Sequence, residues 1–380
     1  MSTYRDRRDG RAPAPERPRS RVVAPPTPCF TADTAAYRRY GCLHRSIRRP
    51  RTAPARTHRT AARPRPGASH RTRFRHRARS GRRESAMGTY VVTGSASGIG
   101  AATTHLLEDE GHTVIGVDVL ETTVRADLST PQGRADAVTG IRTALRGGHL
   151  DGIAAVAGAG AHLDDPGKVL AVNYFAPVAV LEGLRRELAA GGEGRAVVVS
   201  SNSAGTAPLI DETLVRTVLT GDEEAALERA RGRHIELPEE IAESAPSITA
   251  YASSKLALSL WVRRTAVTAE WAREGLLLNA VAPGAVLSPS VRSAIPPDTD
   301  PDNFPTPIPL GVFGQPEDVA FWVHQFLRPQ ARFTTGTVLY VDGGTDAAMR
   351  PEGSPLPLAP PEEAGAAEDA AGDGEGTRGP

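Results

Sequence analysis

At 380 residues the chain is long enough for two domains, yet its near-neutral balance of 45 basic against 44 acidic residues conceals two opposite pieces. The first 86 positions hold 24 Arg, no Lys and five acidic residues (Asp6, Asp9, Glu16, Asp33 and Glu84), a surplus of +19 that leaves −18 for the remainder. Both cysteines, Cys29 and Cys42, lie in that basic piece and no run of about 18 uncharged apolar residues occurs, which excludes a disulfide framework, a cysteine-held metal site and a membrane-spanning helix from the rest.

Residues 1–86 are rich in Pro, poor in large apolar side chains and without sustained period, so they are expected to be disordered. Arginine clusters such as 71–79 (RTRFRHRAR) are compatible with phosphate contacts on nucleic acid, and an Arg-rich, acid-poor start resembles an organelle transit peptide. No apolar region comes after it to make a secretory signal. The first strand begins directly after Met87, so the favoured expectation is that Met87 is the start and the preceding segment an upstream artefact or solvated tail, with no nucleic-acid partner.

From residue 87 apolar runs alternate with helical periodicity, the pattern of βαβ units feeding a parallel sheet buried on both faces. The run 91–93 enters a turn reading TGSASGIG (93–100), and the helical pattern 101–110 leaves it. Gly94 permits the turn, Gly98 lets backbone N–H groups approach a pyrophosphate, Gly100 lets the helix pack on the strand, and the helix N-terminus faces the anion. The spacing is TGxxxGxG rather than GxGxxG, so a glycine-rich turn ahead of a helix is the plain alternative at this point.

Further strands are expected at 112–118 and 123–127, a helix at 132–145 entered by Pro131, a strand at 152–157, a long helical stretch centred on 169–188, and a strand at 195–200. Residues 203–249 interrupt the alternation as an inserted helical subdomain, in which 222–233 (DEEAALERARGR) is acidic at its start and basic at its end, as the helix macrodipole favours. Regularity returns with a helix at 250–274, a strand at 276–282, a proline-rich loop at 283–309, a helix at 316–327 and a strand at 336–341. Residues 351–380 are acidic and rich in Pro, Gly and Ala, which predicts a disordered tail. The expected fold is α/β, one doubly wound parallel sheet (Rossmann fold) in a single catalytic domain over 87–350, with ligands at its carboxyl edge.

Asp118 ends the second strand 18 residues beyond Gly100, where a carboxylate accepts hydrogen bonds from an adenosine ribose and repels a 2′-phosphate. No Arg or Lys lies in the glycine loop, so NAD is expected rather than NADP. Tyr251 and Lys255, in YASSK, stand four apart on one helix and project to one face. A free phenol titrates near pH about 10, too high for an efficient base at neutrality, and an adjacent ammonium is expected to lower it. Lys255 is also one of only two lysines in the chain, the other being Lys168.

With these motifs in place, residues 88–351 resemble the short-chain dehydrogenase/reductase family. The family's glycine motif is matched by Thr93, Gly94, Gly98 and Gly100, with Ser97 and Ile99 in the same loop, and its adenine-contacting Asp by Asp127, with Leu128 next to it. Asn173 in VNYF, Ser201 after the fifth strand, and Tyr251 with Lys255 match its catalytic positions; Pro283 and Gly284 match the segment along the nicotinamide, with Val286 and Ser288 beyond it. The chain is most similar to the family's bacterial 3α-hydroxysteroid dehydrogenase/carbonyl reductase group, through GIGAAT, GVDV, ADLST, AVNYF, the insertion after Ser201 and the ending DGGTDAAMRP. It departs at residues 155–158, where the family's NNAG reads AVAG, leaving Ala157 and Gly158 beside the cofactor, and at Ser288, where a Thr is usual.

The resemblance implies hydride transfer between NAD and a carbinol or carbonyl carbon. Ser201 would hold the substrate oxygen, Tyr251 exchange its proton, Lys255 bind the nicotinamide ribose, and Asn173 hold a water linking Lys255 to solvent, with no metal. An apolar alcohol or ketone, steroid-like and cyclic, is the expected substrate, with Val286, Leu287, Ile295, Phe304, Ile308, Leu209, Ile210 and Leu214 as wall candidates. The reading from a different class is a catalytically silent NAD-sensing or partner-binding protein on the same fold. The expected compartment is the cytoplasm. Homo-oligomerisation is left open, because the insertion stands where family members pair their helices.

Overall fold

The computed structural model describes residues 87–232 and 245–353; the Arg-rich extension, residues 233–244 of the expected insertion and the tail from 354 lie outside the described residues. Seven parallel strands, β1 (Thr89–Thr93), β2 (Thr113–Asp118), β3 (Val124–Arg125), β4 (Gly152–Ala155), β5 (Arg195–Val199), β6 (Leu277–Pro283) and β7 (Val338–Val341), are ordered β3-β2-β1-β4-β5-β6-β7. The order reverses between β1 and β4, the place at the carboxyl edge where sheets of this topology bind ligands. In-register partners alternate faces: Val91 and Ile153 enter one core cluster, Val92 and Ala154 the other. Strands β4 and β5 are buried along their whole length, which explains their unbroken apolar sequence.

Helix α1 (Gly98–Asp109) comes after β1, and α2 (Pro131–Leu145) after β3, with Pro131 in its first turn and the Thr130 hydroxyl accepting from the Gly133 N–H at 3.0 Å. Between β4 and β5 the chain runs through α3 (Pro166–Leu170), a π-helical turn (Ala171–Phe175), α4 (Ala176–Gly183) and α5 (Arg185–Ala190). After β5 come α6 (Ser203–Thr206), α7 (Glu212–Thr220), α8 (Glu223–Gly232) and the long α9 (Ala245–Thr265). After β6 come α10 (Pro289–Ala294) and α11 (Pro316–Leu327), and α12 (Thr345–Met349) lies beyond β7. No helix among the described residues is long and apolar enough to cross a membrane.

The structure corrects several expected bounds. The third strand pairs only over Val124–Arg125. The stretch centred on 169–188 is not one helix: the π turn widens it around Asn173, and Leu184 leaves helical geometry at φ −108 and ψ 7. The helix expected at 250–274 begins five residues earlier and ends at Thr265, because Thr268 turns extended ahead of a separate π turn, Ala269–Arg273. Within the proline-rich loop, Ser288 and Pro289 start α10, a serine cap with a proline in the first turn.

The described part of the insertion is α6, α7, α8 and the start of α9; the first three rest on α9, and α8 also rests on α3. Asp211 caps α7 by accepting from the Thr213 and Leu214 N–H groups at 2.9 and 3.1 Å, and its carboxylate also receives Arg229 of α8 at 3.0 Å. Arg231, near the end of α8, reaches the Asp165 carboxylate at 3.1 and 3.2 Å. The Arg231 guanidinium holds the Asp165 carboxyl below the usual carboxylate range.

Candidate active site

The glycine loop is shaped by close approaches that a side chain would block. A Cβ on Gly100 would stand 2.0 Å from the Gly94 carbonyl oxygen, and one on Gly94, whose φ is +70, would stand 2.9 Å from the Ala157 backbone. Gly98, at φ +52, lies under the start of α10, with its Cβ position 3.3 Å from the Ser288 Cβ. Helix α1 has no side-chain hydrogen bond at its cap and no acidic residue in its first turn, so its free N–H groups suit an anion. Ser97 and Ile99 flank Gly98 at this helix start.

Thr93 turns inward instead. Its hydroxyl accepts from the Val156 and Ala157 N–H groups, both at 3.1 Å, and so fixes the loop after β4. Asp118 reaches back to the glycine loop: one oxygen accepts from the Ala96 N–H and the other from the Leu120 N–H, each at 3.1 Å. Asp127 accepts from the Ser129 N–H at 2.9 Å, and hydrogen bonding from Ser129 lowers its pKa. Leu128 beside it is buried.

Deeper in, the π turn carries Asn173 towards the loop after β4. Its amide pairs with the Ala159 backbone in both directions, accepting at 3.0 Å and donating at 2.9 Å, which leaves the side chain engaged with protein rather than turned to solvent. A Cβ on Gly158 would meet the Asn173 Oδ1 at 3.3 Å and the Lys255 Nζ at 3.7 Å, so this glycine keeps the two together. Lys255 is buried and donates from Nζ to the Val199 carbonyl at 2.8 Å. Burial brings its pKa down to about 7.

Ser201, just beyond β5, accepts at its hydroxyl from the Ser203 N–H at 3.1 Å and lies near enough to Tyr251, on α9, to favour the ionised phenol. Burial raises the Tyr251 pKa, and only that Ser201 contact opposes the rise. The expected lowering by Lys255 is absent from this structure: Nζ stands 5.8 Å from the ring centroid and donates to the Val199 carbonyl, and burial raises the phenol. Strand β6 leads into residues 284–288, which pack beside the Ser201 loop and the C-terminal turn. Pro283 accepts from the Asn202 N–H at 2.9 Å, Gly284 lies where a Cβ would touch Asp342 at 2.7 Å, and Val286 is buried in a bridge to Gly314. The Ser288 hydroxyl caps α10 by accepting from the Val291 N–H at 3.4 Å. Of the expected wall residues, Leu214 belongs to the core instead, because α7 turns it inward against α9.

Two supports escape the motif reading. The buried Ser200 and Ser259 hydroxyls lie 2.8 Å apart and both reach the Lys255 carbonyl at 3.0 Å, tying the Tyr251 helix to the end of β5. Asp342 accepts from the Gly344 and Asp346 N–H groups at 3.0 and 2.7 Å and faces the Asn202 amide at 3.5 Å, bringing the C-terminal turn against the Ser201 loop. A seryl pair at 59 residues' separation leaves no local pattern.

Fold and site together define a dinucleotide-dependent oxidoreductase. The short chain dehydrogenase family model matches residues 89–211 and the model described as Enoyl-(Acyl carrier protein) reductase matches 224–346. The 3-alpha-hydroxysteroid dehydrogenase/carbonyl reductase of Comamonas testosteroni is 34% identical over 266 residues, which span 70% of this chain and 99% of that protein. The chain belongs to the short-chain dehydrogenase/reductase family. Among solved structures, the 3-alpha-hydroxysteroid dehydrogenase from Pseudomonas sp. B-0831, complexed with NADH, superposes with a TM-score of 0.59 at 41% identity, over 70% of this chain and 99% of that one. The short-chain reductase protein NovJ of Streptomyces niveus is 31% identical over 265 residues, 67% of this chain and 92% of its own.

Proposed function

We propose that residues 87–350 form the catalytic domain of an NAD-dependent oxidoreductase that interconverts a secondary alcohol and a ketone on a cyclic, apolar, steroid-like substrate. The observation that carries this reading is the cluster of buried Ser201, Lys255 and Asn173 with half-buried Tyr251, set beside a glycine loop that a Cβ would close. When bound, the dinucleotide supplies the nicotinamide carbon that gives or accepts hydride. The uncapped N-terminus of α1, with Gly94, Gly98 and Gly100, fits its pyrophosphate; Asp118 fits a ribose with a free 2′-hydroxyl; Asp127 and Leu128 fit the adenine end. Ala157, Gly158, Pro283, Gly284, Val286 and Ser288 border the nicotinamide end.

In this reading Ser201 orients the substrate oxygen and Tyr251 exchanges a proton with it. Lys255 binds the nicotinamide ribose, and Asn173 keeps the loop after β4 at its distance from Lys255. The similarity to two hydroxysteroid dehydrogenases supports a ring-bearing substrate. Initial rates with NAD are expected to be higher on 3α- or 3β-hydroxysteroids and cyclic alcohols than on short-chain alcohols. Faster turnover of short-chain alcohols than of every cyclic compound would overturn the steroid-like substrate and leave the oxidoreductase standing.

A further inference from the structure

Helix α8 belongs to the insertion, yet its first residue is bonded into the other half of the domain. Arg134, in the first turns of α2, is buried at 5% exposure and uses its guanidinium fork twice. Nη1 donates to the Leu128 carbonyl at 3.3 Å, and Nη2 donates to the Glu223 carboxylate at 2.5 Å. Glu223 stands 89 residues further along the chain. Its second oxygen is buried with no hydrogen-bond partner among the described residues, so the carboxylate depends on Arg134.

Leu128 lies in the short loop between β3 and α2 that is proposed to meet the adenine. That loop is built tightly: the Asp127 carbonyl accepts from the Thr130 N–H at 3.3 Å, and Gly133 lies so near it that a Cβ would stand 1.9 Å away. The Leu128 carbonyl of this loop is held by Arg134 alone among the described side chains. The far end of α8 is fastened as well, through Arg231 to Asp165, which caps α3 by accepting from the Gly167 N–H at 2.9 Å. One insertion helix thus bridges two of the segments that leave strands at the carboxyl edge.

We propose that Glu223 and Arg134 are positioning residues through which the insertion sets the adenine-side loop and hence the affinity for the dinucleotide, an inference that rests on the proposed cofactor. Neither residue touches the reacting atoms. Arg134 needs its fixed fork to serve both partners, which a lysine's single ammonium does not reproduce. Coupling between the insertion and the cofactor is reciprocal, so bound dinucleotide stabilises α8 by the same factor that α8 strengthens binding.

The test is NADH titration by fluorescence, with steady-state kinetics, on the full chain, Glu223→Ala, Glu223→Gln and Arg134→Lys. Glu223→Ala and Arg134→Lys are each expected to raise the NADH Kd and the KM for NAD about fivefold or more while kcat at saturating NAD stays within about twofold, with Glu223→Gln intermediate. Combining Glu223→Ala with Arg134→Lys should add little to either alone. Hydrogen exchange of residues 223–232 should slow with NADH in the parent and not in Glu223→Ala. Should the alanine variant fail to fold, Glu223→Gln and Arg134→Lys carry the comparison. An unchanged Kd in the folded variants, with only a lower Tm, overturns the coupling and leaves a merely structural ion pair. A parent that binds no NADH overturns the cofactor reading, and the coupling with it.

Discussion

Lys255 makes a prediction about stability that is independent of substrate. Its side chain is buried, and burial alone brings its pKa from 10.5 in the exposed state to about 7 in the fold. Between those values the unfolded chain holds a proton that the folded chain has released, so stability rises with pH through this window and the gain is lost as pH falls towards 7. At pH 7 the folded amine is half protonated; integrating the difference in bound protons from pH 7 to 9 gives about 2 kcal/mol. Tyr251 acts in the opposite direction and elsewhere: its pKa is raised, so it lowers stability only where the unfolded phenol ionises, near pH 10 and above. Urea unfolding of the cofactor-free protein at pH 7, 8 and 9 is therefore to be compared with Lys255→Met, which keeps a linear side chain and has no proton to lose. The parent should gain about 2 kcal/mol over the variant across that interval. Parallel pH profiles for the two proteins would refute the burial argument and place a charged ammonium in the site.

Tyr251→Phe should lower turnover by about 100-fold or more while leaving NADH affinity nearly unchanged, since only the proton-transfer oxygen is removed; rates comparable to the parent would sink the acid/base role. Asp118→Ala combined with Val119→Arg should move the ratio of kcat/KM values towards NADP by about tenfold or more, because a repelling carboxylate gives way to a guanidinium that binds phosphate bidentately. The same change should weaken NAD, since Asp118 also holds the Ala96 and Leu120 N–H groups. A parent that already prefers NADPH would contradict the role given to Asp118.

The parts of this chain that obey a repeating physical rule are readable in its letters. Parallel strands buried on both faces demand continuous apolar runs, and the central strands are marked by such runs alternating with helical periods, whereas the two-residue β3 ends on an exposed arginine. The glycine loop is equally legible, because each close approach admits only a residue without Cβ. Long-range side-chain bonds are less so. Nothing near Glu223 in the sequence indicates that its carboxylate meets Arg134, and DEEAALERARGR reads simply as a helix with charges suited to its dipole. The π turn at Asn173 is likewise invisible to periodicity, since one extra residue per turn alters facing without altering composition. Local electrostatics misleads for a related reason. The four-residue spacing puts Lys255 beside Tyr251, but which way the ammonium points is decided by the Val199 carbonyl, 56 residues away.

That orientation bears on how the site handles its proton. Desolvation pushes the Tyr251 phenol and the Lys255 amine each towards its neutral form, which at first sight removes the phenolate that the proposed proton transfer requires. The two effects have a common cause, however, and act on opposite charges. A neutral phenol with a neutral amine has the same total charge as a phenolate with an ammonium, so passing between these arrangements moves one proton inside the pocket without placing net charge in a region where net charge is disfavoured. What decides the exchange is what stabilises phenolate and ammonium together. The Val199 carbonyl already accepts from the Lys255 nitrogen, and Ser201 is the one contact on the phenol that favours its ionised form. Ser201 thus has a part in the proton's position before any substrate oxygen arrives, and Ser200 with Ser259, by holding the Lys255 carbonyl, keeps the two ends of that exchange on adjoining turns of α9.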